Sequence, residues 1–310
     1  MGILGTDWKA GRLSPSLATL IVAATLSWNE AAWGAPQTFS SAITLVPGEF
    51  VLREQYVFDQ SGDDPSSADR DRVAQGVTSV LGYAVNKDFM LFGVVPYLDK
   101  RLELNVDGAR RARSDRGIGD IRLFGRYTVW RKNFTGGLVR ISPFFGLELP
   151  TGDDDESDAF GRLPADVQLG SGSWDPFGGL VFTYQSLDFQ VDAQLSYQVN
   201  TEGGNFGFGD VVRADASIQY RLWPRELERG VPAFVYGVLE ANLIHKGKNV
   251  TDGITNQNSG GTTLFLVPGL QYASRRWVLE AAVQVPVFQN LNGTALEKDY
   301  IARAGFRVNF

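Results

Sequence analysis

From Asp188 to Asn200 polar and apolar residues alternate without an error: Asp188, Gln190, Asp192, Gln194, Ser196, Gln198 and Asn200 interleave with Phe189, Val191, Ala193, Leu195, Tyr197 and Val199. A β-strand points successive side chains to opposite faces, so this order gives it one polar and one apolar surface. The pattern recurs. Arg213, Asp215, Ser217, Gln219 and Arg221 alternate with Val212, Ala214, Ile218, Tyr220 and Leu222, and Glu280 and Gln284 with Trp277, Leu279, Val283 and Val285. The last twelve residues, DYIARAGFRVNF, set Tyr300, Ala302, Ala304, Phe306, Val308 and Phe310 against Arg303, Arg307 and Asn309.

Taken along the chain, the pattern predicts an all-β protein with about twelve strands, over residues 49–60, 73–86, 89–105, 117–132, 134–150, 173–185, 188–201, 208–223, 231–246, 260–273, 276–288 and 299–310. Five short turns alternate with six longer polar loops, the turn at 224–230 being the longest of the short set. Periodicity alone also suits a soluble sandwich, with its apolar face turned inward. Three features favour a transmembrane antiparallel up-and-down β-barrel instead. The strands exceed the five or six residues usual in soluble sheets. Trp130, Trp223, Trp277, Tyr272, Tyr300 and Phe310 sit near strand ends, where an interfacial girdle belongs. The N-terminus also reads as an export signal.

That signal occupies residues 1–34, with Lys9 and Arg12 ahead of an apolar run over 17–28, and Ala32-Trp33-Gly34 offering small residues for cleavage before Ala35. Residues 35–48 are expected as a short periplasmic lead and 49–310 as the barrel. The 310 residues contain no cysteine, which excludes disulfides and thiolate chemistry, and the net charge of -6 argues against nucleic acid as a partner. The expected location is the bacterial cell outer membrane.

Charged residues of a barrel strand are driven inward, because at mid-bilayer on the lipid face each costs about 2 to 4 kcal/mol. The alternation therefore nominates Arg53, Arg122, Arg126, Asp192, Arg213, Asp215, Arg221, Glu240, Glu280, Arg303 and Arg307 as pore-lining, with Phe124, Phe234 and Tyr236 as a partial apolar track among them. These charges either steer solutes or pair across the lumen and prop it open. The long loop 151–172 carries the acidic run Asp153, Asp154, Asp155, Glu156 and Asp158, a weak metal candidate without the spacing of a calcium loop. Its middle, Phe160 to Pro164, is expected to fold into the lumen. A basic set, Arg110, Arg111, Arg113 and Arg116, faces lipopolysaccharide phosphates, that acidic loop or simply solvent. The single histidine, His245, has no serine two residues on, and nothing fixes the separation of Glu240 and Glu280, so no catalytic site, cofactor or enzyme activity is assigned.

Gly117-Ile118-Gly119-Asp120, Leu149-Pro150-Thr151-Gly152 and Leu169-Gly170-Ser171-Gly172-Ser173-Trp174-Asp175 resemble, in order and spacing, the GxGD, PTG and LGSGxxD pattern of the phenol-degradation (MetA-pathway) outer-membrane protein family. The resemblance covers residues 73–310 and implies a transporter-like barrel that moves small organic solutes, aromatic or hydrophobic, inward. The expected function is thus a passive outer-membrane channel, and the competing one a plugged structural or surface-binding barrel in contact with lipopolysaccharide or a host. Phe310 further resembles the terminal aromatic by which barrel-assembly machinery recognises its clients. Deletion of Phe310 is expected to lower the membrane-inserted fraction, measured by heat-modifiable gel migration, before any transport defect; normal insertion would remove that role.

Overall fold

The computed structural model describes residues 34–226 and 233–310. The expected export signal, apart from Gly34, and most of the 224–230 turn lie outside the described residues. Twelve antiparallel strands form the wall: β1 (Phe50–Ser61), β2 (Asp71–Ala84), β3 (Phe89–Val106), β4 in three pieces (Ala109–Ile118, Ile121–Tyr127 and Trp130–Phe134), β5 (Gly137–Leu149), β6 (Asp175–Ser186), β7 (Phe189–Gln198), β8 (Val211–Trp223), β9 (Ala233–Lys246), β10 (Gly261–Ser274), β11 (Trp277–Leu291) and β12 (Tyr300–Asn309). Each strand pairs with its neighbours in sequence. The barrel closes where β12 meets β1, from Val51 opposite Asn309 to Gln60 opposite Tyr300. Closure leaves no strand edge unpaired, which is what a sheet needs to sit in hydrocarbon.

The sequence alternation becomes two surfaces. Leu81, Leu91, Leu123, Leu180, Leu195, Ile218, Leu239 and Leu270 are exposed on the outer wall. Gln55, Thr183, Gln190, Gln219, Gln271 and Gln284, on the opposite parity of their strands, are buried inside. In water such a continuous apolar belt would cost about 25 cal/mol per Å²; against acyl chains it costs nothing. At the short-turn end, outward aromatics cluster: Phe50 lies 4.6 Å from Tyr83 and 5.7 Å from Phe310, and Tyr184 lies 5.8 Å from Phe134 and 5.5 Å from Phe189. Phe58 and Tyr300 stack at 6.0 Å near the loop end. A closed barrel with an apolar belt and aromatic rims is an outer-membrane barrel.

The fourth strand departs from expectation. Residues 106–116, read as a loop, are mostly strand: Ala109–Ile118 pairs with the outer half of β3, and Asp107 and Gly108 form the two-residue turn at φ 52° and 76°. Positive φ at both positions is the hairpin turn for which Asp-Gly is suited. The run of arginines hid the strand because neither of its faces is apolar. Below it, β4 takes one extra residue twice. Ile118 to Arg122 is four steps against three from Tyr97 to Val94 on β3, and Arg126 to Trp130 is four against three from Phe144 to Ile141 on β5. These are bulges, and they separate the three pieces.

Leu195 sits opposite Leu180 and Ala214 and is 59% exposed on the outer wall. Leu195→Arg is expected to destabilise the barrel by about 2 to 4 kcal/mol, read as a lower urea midpoint in vesicles. An unchanged midpoint would take Leu195 off the lipid face.

Candidate functional site: an occluded lumen

Residues 35–48, expected as a periplasmic lead, do not lie outside the barrel. They enter from the short-turn rim, where Gly48 N donates to Ala84 O at 2.8 Å, and run into the lumen. The segment has no strand partner in the wall, yet buried peptide groups must be paired, so inward side chains do the pairing. Ala35 exchanges two hydrogen bonds with Gln271, at 3.2 and 2.6 Å. Gln37 N and Thr38 N donate to the two oxygens of Glu240 at 2.6 and 3.2 Å, and the Thr38 hydroxyl adds a third bond to that carboxylate. Gln37 O accepts from Arg53 and Gln55 at 2.8 and 3.1 Å. Farther along, Ala42 N donates to Thr183 Oγ1 at 2.8 Å, and Arg126 donates to Ser40 Oγ and Ile43 O, each at 2.6 Å, and to Ser41 O. A carboxylate thus grips the amides of one part of this plug and a guanidinium the carbonyls of another.

All fourteen residues nominated as pore-lining lie on the inward parity of their strands, but they divide into two groups. Arg53, Arg122, Phe124, Arg126, Arg213, Phe234, Arg303 and Arg307 border a cavity of about 1890 Å³ that the plug shares with the wall. The other six, also on the inward face, do not border it and are engaged with wall residues or the plug. Glu240 is spent on the plug. Asp192 accepts from Thr183 Oγ1 and Gln190 Nε2, at 2.5 and 2.8 Å. Asp215 pairs with Arg213 at 3.0 Å and accepts from Asn242 at 2.9 Å, and Glu280 pairs with Arg53 at 2.6 Å. Arg221 reaches Asp188 at 2.5 Å, and Tyr236 packs against Ala273 and Val278.

The aromatic wall of the cavity is larger than the alternation indicated. Phe92 stacks on Phe124 at 4.7 Å, and Phe124 meets Phe144 and Phe177 edge-on at 6.1 and 5.9 Å. Gly146 is what lets Phe124 and Phe177 meet. It lies opposite both in the sheet, and a Cβ there would run into each of them. The guanidinium of Arg122 stands 4.8 Å from the Phe177 ring, and that of Arg126 5.0 Å from Phe92. Phe92, Phe144 and Phe177 escaped the sequence reading because they sit in runs such as Phe144-Phe145 and Phe89-Met-Leu-Phe92, apolar on both faces. The signal that finds them is the register, which sets Phe92 opposite Phe124.

At the outer mouth the three motifs noted in the sequence meet. Asp120, in the gap between the first two pieces of β4, accepts hydrogen bonds from Thr151 N at 3.1 Å, Gly152 N at 2.9 Å and Ser171 N at 2.7 Å. Gly152 and Gly170 cross backbone to backbone, too close for a Cβ on either. The loop so pinned packs Leu163 and Val167 against Leu102 and Leu104 of β3, and Lys100 Nζ donates to Gln168 O at 2.5 Å. Phe160, expected inside, is 55% exposed and lies under the Arg111 guanidinium at 4.2 Å. Arg113 holds Asp158 through two bonds of 2.8 Å and keeps that carboxyl below its usual range. So part of the basic set does meet the acidic loop. Among the described residues, Asp153 to Asp158 form no metal cluster. His245 faces outward from β9, its Nδ1 2.8 Å from Thr262 Oγ1.

The model of the family described as the MetA-pathway of phenol degradation matches residues 59–287, well over half of the chain. The chain belongs to this family. Its fold is similar to the crystal structure of an outer membrane channel from Pseudomonas putida F1, with a TM-score of 0.65 and 12% identity over 90% of this chain and 100% of that one. Two further likenesses are more distant. The β domain of the Bordetella autotransporter BrkA gives a TM-score of 0.45 at 11% identity, covering 85% of this chain and 100% of that one. The CymD monoaromatic hydrocarbon channel gives 0.40 at 10% identity, covering 86% and 89%. No curated protein matches the chain.

In this family member the motif residues serve the mouth of the barrel. Asp120→Ala is expected to free the loop and raise trypsin cleavage at Arg162 several-fold, while heat-modifiable migration of the barrel persists. Cleavage at the wild-type rate would show that the apolar contacts of Leu163 and Val167 hold the loop unaided.

Proposed function

We propose that this protein is a passive outer-membrane channel for the uptake of small organic solutes with an aromatic or apolar body, closed at rest by residues 35–48. The observation that carries this reading is the aromatic cluster of Phe92, Phe124, Phe144 and Phe177. It faces a cavity of about 1890 Å³, whereas a barrel built only as a scaffold would fill that volume with side chains. The family's description, phenol degradation, points to the same kind of solute. Solute arriving past the outer loops enters one cavity bordered by both the aromatic wall and the plug, with Leu45 packed in the cluster of Phe92. The plug is held by hydrogen bonds worth about 1 kcal/mol net each to neutral groups and about 1.5 to 3 kcal/mol to Glu240, Arg53 and Arg126; the bonds to these side chains are not rungs of the wall's ladder, so their loss leaves the wall paired. No energy source is coupled to the step.

The occlusion itself favours a second reading, a permanently plugged structural barrel. Deletion of residues 37–45 separates the two. For a channel, planar-bilayer recordings are expected to show stable open steps whose conductance rises several-fold in the shortened protein. A shortened barrel that folds and stays silent across salts would decide for the structural reading.

A further inference from the structure

We infer that the preferred solute is an organic anion, an aromatic or apolar body carrying a carboxylate, and that Arg122 beside Phe177 is its docking point; this rests on the channel reading above. Charge is divided unevenly inside the barrel. The cavity is bordered by eight arginines and only two glutamates, Glu49 and Glu148. The inward carboxylates Asp192, Asp215, Glu240 and Glu280 stay out of the cavity lining, turned to wall residues and to the plug. Arg53, Arg122 and Arg213 are ion-paired with Glu280, Glu148 and Asp215, whereas two of the bordering cations are held by neutral groups. Arg303 donates to Gln284 Oε1 at 2.7 Å and to Gln55 Oε1 at 2.9 Å, and Arg126 donates to plug carbonyls and the Ser40 hydroxyl. Such bonds fix a guanidinium in place without cancelling its charge.

Arg122 joins that positive wall to the aromatic one. Its guanidinium is partly exposed, donates from Nε to Glu148 at 2.5 Å and from Nη2 to Gln198 Oε1, and lies 4.8 Å from the Phe177 ring. A solute ring laid against Phe124 and Phe177 would bring a ring carboxylate to the Nη1 side of that guanidinium, which neither Glu148 nor Gln198 takes. A neutral ring of the same shape gains the stacking alone. A ring bearing an ammonium meets repulsion from Arg122, Arg126 and Arg303.

The test uses the refolded full-length barrel in a planar bilayer under a potassium chloride gradient, with benzoate, benzyl alcohol and benzylammonium as isosteric probes. The expected result is a reversal potential on the chloride side, with benzoate blocking the current at several-fold lower concentration than benzyl alcohol and benzylammonium blocking least. In Arg122→Gln, and in the charge-balanced Arg122→Gln/Glu148→Gln pair, the benzoate advantage should fall several-fold while heat-modifiable migration reports an intact fold. A potassium-side reversal potential, or block by benzyl alcohol equal to that by benzoate, overturns the anion assignment and leaves the channel standing. A benzoate advantage unchanged in both variants overturns the assignment to Arg122. Absence of any current, in the full-length and the 37–45-deleted protein alike, overturns the channel reading itself.

Discussion

Every peptide group that leaves water in this molecule needs a hydrogen-bond partner, and the protein meets that demand in two ways. Within the membrane the partners are other strands, so the sheet must run round to its own start; β12 on β1 is the pairing that completes it. Inside the lumen an unpaired segment must be satisfied without a sheet. There the inward face of the wall acts as a set of fixed side-chain donors and acceptors, with Glu240, Gln271, Thr183 and Arg126 each placed against a backbone atom of residues 35–43. The polar face of the strands is therefore a complement to one piece of this same chain as much as a lining for solute.

That dual use explains what was legible in the sequence. The twelve strands, their inward parity and the barrel class follow from a period of two, which is local and repeats. The plug is not periodic, and its contacts join residues as far apart as Gln37 and Glu240, 203 positions on. Nothing in the string Gln37-Thr38-Phe39-Ser40-Ser41 distinguishes a lead in water from a segment lodged in a lumen. The same limit divided the nominated residues. Parity placed Asp192, Asp215 and Glu280 inside, but parity does not say whether a charge meets solvent or a neighbour. The aromatic wall was hidden by composition, since a run of apolar residues shows no face until its partner strand is known.

The motifs tell a complementary story. Gly119-Asp120, Thr151-Gly152 and Gly170-Ser171 lie far apart in sequence. In space a single carboxylate gathers three amides, and two glycines cross where no side chain fits. Their spacing thus encodes the crossing of two chain segments over the mouth. Asp120 sits in the gap between the first two pieces of β4.

One consequence follows from where the plug is attached. Residues 35–48 number fourteen and precede β1 by the single residue Glu49, and an extended chain of that length reaches roughly 45 to 50 Å, beyond the ~30 Å of bilayer hydrocarbon. On the channel reading proposed above, a displaced plug stays tethered to the rim. Its return is then a unimolecular event at a fixed local concentration, so resealing needs no second protein and proceeds at the same rate however many copies the membrane holds.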